Sequence, residues 1–111
     1  MNVSFEEIGR LAVTFGSEGC QAGQVCKVSA NGKVAPCADG DKLCGIVEHV
    51  RGSHAAVQVA GFAEVSITGA VGVGYVNLCA DGSGGVKADT AGQKYVVVDV
   101  DTTAMMVTFA L

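Results

Sequence analysis

The stretch Val25-Cys26-Lys27-Val28-Ser29-Ala30-Asn31-Gly32-Lys33-Val34-Ala35-Pro36 decides the fold class. It holds two short runs joined by Asn-Gly. A type I′ turn needs positive φ at both central residues, and Asn-Gly meets that need better than other pairs. Val28 and Val34 flank the turn, and branched side chains favour the pleated backbone. The stretch predicts a β-hairpin, with strands over Val25–Ser29 and Lys33–Ala35.

The same grammar continues on both sides. Leu11-Ala12-Val13-Thr14-Phe15 alternates, with Leu11, Val13 and Phe15 on one face. Downstream, strands are predicted over Lys42–Val50, Ala55–Ala60, Phe62–Ile67, Val73–Cys79, Val86–Ala88, Tyr95–Val100 and Met105–Leu111. Turns fall at Ala38–Asp41, Arg51–Ser53, Gly61, Asp81–Gly85, Ala91-Gly92 and Asp101–Thr103. In the last strand Met105, Val107, Phe109 and Leu111 are expected on one face. Only one helical turn is expected, within Asn2 to Arg10, where Ser4 and Glu7 have capping-box spacing. Short, evenly spaced strands predict an all-β barrel or sandwich.

The chain has 111 residues, sixteen of them Gly and one Pro. That suits one domain with one modest core. The expected organisation is a single β domain over 1–111. An arm over residues 1–21 would be free to dock, and a barrel would span 23–111. Within the barrel, Val28–Gly32 matches Leu78–Gly82 at an offset of 50, and the offset then becomes 52 for Val34 with Val86, Gly40 with Gly92, Lys42 with Lys94, Leu43 with Tyr95 and Ile46 with Val98. A strand–turn–strand–turn–strand unit used twice would explain it.

The formal net charge is −4. Arg10, Lys27, Lys33, Lys42, Arg51, Lys87 and Lys94 are scattered, whereas phosphate neutralisation needs clustered cations. Nucleic acid and anionic membranes are therefore not the expected partners. No run approaches the roughly 20 apolar residues of a membrane helix. The start MNVSFEEIGR lacks the pattern of a signal peptide, so synthesis in a cytoplasm is expected.

Candidate chemistry is sparse. Cys20, Cys26, Cys37, Cys44 and Cys79 form no C-x-x-C pair, and buried cysteines serve as small apolar residues. His49 and His54 flank a turn and would meet across a hairpin. Asp39/Asp41 and Asp99/Asp101 sit where Asp caps turns. The run Gly69-Ala70-Val71-Gly72-Val73-Gly74 lacks the Gly-Lys-Ser/Thr ending of a phosphate loop and precedes a strand. No catalytic, cofactor or metal site is expected, and the chain is not read as an enzyme. The word Cys-Ala-Asp-Gly occurs at 37–40 and 79–82. The two copies fall at different places in the repeat, so their shared spelling is read as turn chemistry alone.

The stretches GQVCKVSANGKVAPCADGDKLCGIVEHV, AAVQVAGFAEVSITGAVGVGYVNLCADGSGGVK and YVVVDVDTTAMMVTFAL resemble small head proteins of tailed phages and prophages. These are the capsid decoration (cement) and head-fibre type proteins. The likeness covers about Gly23 to Leu111 and rests on turns and strands; the cysteines are no part of it. It implies a β-barrel or β-tulip domain that self-associates, often as a trimer. Such a protein binds the major capsid protein on the exterior of the virion's assembled head. A head-fibre module for a host surface or glycan is the alternative, but with no Trp, and only Tyr75 and Tyr95 as polar aromatics, sugar stacking is poorly served. A Cys/His metalloprotein is the remaining reading.

Overall fold

The computed structural model describes residues 10–111. The helical turn expected around Ser4 and Glu7 lies outside them. The described chain is all-β. The first half holds β1 (Leu11–Ser17), β2 (Val25–Ala30), β3 (Lys33–Pro36), β4 (Gly45–Arg51) and β5 (His54–Ala60). The second holds β6 (Phe62–Ser66), β7 (Gly74–Ala80), β8 (Val86–Ala88), β9 (Gln93–Asp101) and β10 (Met106–Ala110).

The first five strands close into a barrel in the order β1-β3-β2-β4-β5. The β2–β3 hairpin turns at Asn31-Gly32, where Gly32 takes a left-handed φ of 71° and Asn31 does not, so the turn is not the type I′ expected. Closure comes from β1, antiparallel to β5 and parallel to β3. Within the arm expected over residues 1–21, Leu11–Ser17 is therefore an integral barrel strand. Its alternating apolar residues need a sheet neighbour, and β5 supplies one.

The second five strands follow the order β6-β10-β9-β7-β8. Only a parallel bridge between Ile67 and Val86 joins β6 to β8. Read as a ring, this is the order of the first barrel. The correspondence extends to single bonds. Glu18 N–H donates to Val34 O at 2.9 Å, and Thr68 N–H donates to Val86 O at 3.0 Å. Ser17 N–H donates to Ser53 O at 2.8 Å, and Ile67 N–H donates to Met105 O at 3.0 Å. Val25 pairs with Ile46, and Tyr75 pairs with Val96. Each unit carries a bulge at the same place, at Glu48 on β4 and at Val98 on β9.

The repeating unit is thus five strands rather than three. Val34 does correspond to Val86. On β4 and β9, however, the ladder matches Ile46 to Val96 and not to Val98, so the expected register for Lys42–Ile46 is two residues off. Bulges and the longer Asp81–Gly85 turn hide that slip from a residue-by-residue comparison.

Alternation sorts the apolar residues into two cores. Inside the first barrel lie Cys20, Cys26, Val34, Val47, Ala55 and Val57. The second core holds Val86, Val97, Val107 and Phe109, with Val25, Cys37, Leu43 and Ile46 added from the outer wall of the first barrel. On β2, Val25 points outward and Cys26 inward; on β4, Ile46 and Val47 divide likewise. The outer wall of unit one is thus a wall of the core of unit two.

Two local differences from expectation have clear causes. Met105 does not join the face of Val107 and Phe109, because it lies in the turn before β10 with a left-handed φ of 54°. Strand β4 starts at Gly45 rather than Lys42, because Leu43 is drawn into the second core.

Candidate functional site

The residues with possible chemistry mostly serve the fold. Asp101 caps its turn, accepting from Thr103 and Ala104 N–H at 3.0 Å each, and these bonds hold its carboxyl below the usual range. Asp41 accepts from Lys27 Nζ at 2.7 Å and from Ala38 N–H at 2.8 Å. The ammonium first, then the backbone donor, depresses its pKa. The Gly69–Gly74 segment links β6 to β7, and no helix follows it. His49 and His54 line one shallow hollow with Thr14 and Arg51. Arg51 lies opposite His54 in the β4–β5 ladder, so a cationic side chain lines the hollow with both rings. Cys26, Cys37 and Cys79 are buried and Cys44 is half-buried. Among the described residues no three His, Cys, Asp or Glu side chains gather as a metal set.

The two Cys-Ala-Asp-Gly words, unrelated in the repeat, meet in space. Gly40 N–H donates to Ala80 O, and Ala80 N–H donates to Asp41 O, both at 2.9 Å. Asp39 pairs with Lys87 at 2.6 Å. A Cβ on Gly82 would stand 3.1 Å from that of Asp39, so the second turn must pass close to the first. Their common spelling therefore marks the seam between the units. Sequence comparison missed this because it tests equivalence, not contact.

The seam defines two faces. The donor face is the outer wall of unit one, with Val25, Ile46 and the Cys37–Leu43 segment. The acceptor face is the region of unit two around Leu78, Ala80 and Val86. Val25 N–H donates to Gly84 O at 3.0 Å across the join.

Each face has an equivalent on the other unit: the donor equivalent is open to solvent at Tyr75, and the acceptor equivalent is open at Val28, while Val34, the counterpart of Val86, is buried inside the first barrel. Tyr75 is the counterpart of Val25, yet it is 77% exposed where Val25 is 1% exposed. Val73 beside it is also exposed. An open hollow of about 520 Å³ surrounds Tyr75, lined by Asn77, Ala88, Asp89 and Lys94 among others. Val28 is the counterpart of Leu78, and it is 59% exposed where Leu78 is fully buried. The chain therefore carries one satisfied donor–acceptor pair, one uncovered donor copy at Tyr75 and, on unit one, an exposed apolar residue at Val28. Exposed apolar residues of this size clustered at one site mark interaction surfaces more often than isolated ones do.

The Tyr75 side chain suits such a role. Its ring offers large apolar area and a polar tip, and few torsions must be fixed on contact. Tyr95, by contrast, packs edge-on against Phe109 at 5.1 Å, and burial raises its pKa. Only one of the two tyrosines is therefore available at the surface. Tyr75 is readable in the sequence as a polar aromatic, but its exposure depends on which unit buries its outer wall.

Comparison with known protein families finds none that matches this chain, and comparison with curated proteins finds no match either.

Proposed function

We propose that the chain is a structural assembly protein that self-associates head to tail and coats the exterior of a phage head. The observation that carries the self-association is the exposure of Tyr75 at the position where Val25 is buried. The donor face around Tyr75 of one copy receives the acceptor face around Val28 of the next. A heterologous contact of this kind closes into a ring when the rotation per subunit divides a full turn. Three chains would give a ring of six similar units, in keeping with the trimer the sequence resemblance implies.

The capsid partner rests on that resemblance over Gly23 to Leu111. A ring also suits it physically. Several weak contacts to neighbouring capsid subunits act together once they are linked in one body. The acidic balance, net −4, and the scattered cations favour a protein partner over packaged nucleic acid. The test mixes purified protein with undecorated heads and sediments them. Saturable co-sedimentation, with heads that resist heat better than bare ones, supports the reading. Protein that stays in the supernatant at all concentrations overturns it.

A further inference from the structure

Cys26 is the second residue of β2, and Cys44 immediately precedes β4, the neighbouring strand. Cys44 N–H donates to Cys26 O at 2.8 Å, so the backbone holds the two residues side by side. Their sulfurs stand 3.9 Å apart. A disulfide needs about 2.05 Å, a closure that side-chain rotation of the half-buried Cys44 can supply. Among the described residues no comparable contact joins Cys20, Cys37 or Cys79 to another sulfur.

The two thiols are not alike. Cys26 is fully buried, and its S–H can donate to Cys44 Sγ or to Gly45 O at 3.7 Å. Its hydrogen bond to Cys44 brings the Cys44 pKa down to about 7, against an opposing effect of burial. The same bond, with burial, pushes Cys26 far up. Around the pair lie the Cys20 and Cys37 thiols and the Tyr95 hydroxyl, with the Lys27–Asp41 ion pair beside Cys37. Among the described residues no cation pairs directly with Cys44, so its thiolate depends chiefly on Cys26. A thiolate on the more accessible sulfur, backed by a buried thiol, is the arrangement of an attacking and a resolving cysteine.

We propose that Cys44 and Cys26 form a thiol–disulfide site that reacts with hydroperoxides, Cys44 attacking and Cys26 resolving. The Cys44 thiolate attacks the terminal peroxide oxygen. The O–O bond breaks, an alcohol (or water, from hydrogen peroxide) leaves with a proton, and Cys44 becomes a sulfenic acid. Cys26 sulfur then attacks Cys44 sulfur, and the sulfenic hydroxyl leaves as water with the Cys26 proton. Two thiols have lost two hydrogens, and the peroxide has taken up two electrons. A low-mass thiol reverses the step by exchange, its two equivalents ending as a disulfide.

The bond would tie β2 to the segment that sends Cys37 and Leu43 into the seam. It closes a span of 18 residues and would restrict the unfolded chain. This inference goes beyond the assembly reading and does not depend on it.

The experiment treats reduced full-length protein with equimolar hydrogen peroxide near neutral pH. The expected product has lost two hydrogens in mass, and a non-reducing peptide map joins Cys26 to Cys44. Its thermal midpoint rises by roughly 10 °C and returns on adding dithiothreitol. In the untreated native protein, iodoacetamide labels Cys44 first. Cys26→Ala slows that labelling at pH 7 several-fold by removing the donor. If the variant does not fold, the map of the wild-type protein decides by itself. A product with Cys44 oxidised to sulfinic acid and no Cys26–Cys44 link, or with the link on another cysteine, overturns the proposal.

Discussion

Val25 and Tyr75 occupy the same position in two five-stranded units, pairing with Ile46 and Val96 respectively, yet one is buried in the seam and the other stands in solvent. One outer wall has found its partner within the chain, and its twin has not. Tyr75→Asp would place a charge in the proposed contact, where desolvation is costly. The expected outcome is a monomer with an unchanged melting temperature, read by size-exclusion chromatography with light scattering and by calorimetry.

The first barrel depends on a close approach at Gly45, where β4 meets β5. A Cβ there would stand 2.7 Å from Val57 Cγ1 and press on the Gln58 carbonyl oxygen. Backbone oxygen cannot move aside as a side-chain tip does. Gly45→Ala should cost about 3 kcal/mol, measured by urea unfolding. Gly40→Ala meets nothing within 4 Å. There the left-handed φ of 88° is the only penalty, so a smaller loss of about 1 kcal/mol is expected.

Gln58 ties the two units together at their covalent link. Its amide donates to Ala60 O at 3.1 Å and to Phe62 O at 2.7 Å, and its oxygen accepts from Arg10 Nη2 at 3.0 Å. The side chain is buried, so truncation removes the partner of two part-buried carbonyls and of a guanidinium. Gln58→Ala should lower stability by about 2 kcal/mol. Gln58→Glu should do worse than Gln58→Asn, because a carboxylate cannot donate to two carbonyls.

Acid should loosen the segment between β3 and β4. The Asp41 carboxyl titrates below its ordinary value of 3.8, chiefly through its hydrogen bond from Lys27. A depressed folded pKa gives stability that is present above the unfolded value and lost as pH falls through the folded one. Stability should therefore decline below about pH 4, and Asp41→Asn should flatten that decline. Lys27 is raised by the same bond, so its contribution is complete at neutral pH and fades only above its ordinary 10.5. Both groups are partly exposed, so the effect is small and weakens with salt. Unfolding midpoints measured from pH 2 to 7 in wild-type and variant protein check it.

The strands were legible because their signals are local. Val28, Asn31-Gly32 and Val34 specify a hairpin within a few residues, and Val107 and Phe109 mark a buried face by alternation alone. Barrel closure was not legible. The pairing of Val13 with Val57 spans a distance along the chain that no local pattern encodes. The repeat was visible at Val28/Leu78 and Val34/Val86 but slipped at Ile46, because the turn at Asp81–Gly85 and the bulges shift the register without changing the fold. The seam was invisible for a different reason. Val25, Tyr75, Val28 and Leu78 read alike as strand residues, and only the packing of one unit on the other buries two of them and exposes their counterparts.

The central claim is that the Tyr75 face of one copy takes the Val28 face of the next. Sedimentation velocity on Tyr75→Asp, Val28→Asp and their equimolar mixture tests it most directly. Each variant keeps one sound face of a head-to-tail contact. The account predicts that each alone is a monomer, that their mixture gives a heterodimer and nothing larger, and that the wild-type protein forms a closed ring. A wild-type monomer at all concentrations, or a Val28→Asp variant that still associates alone, would contradict it.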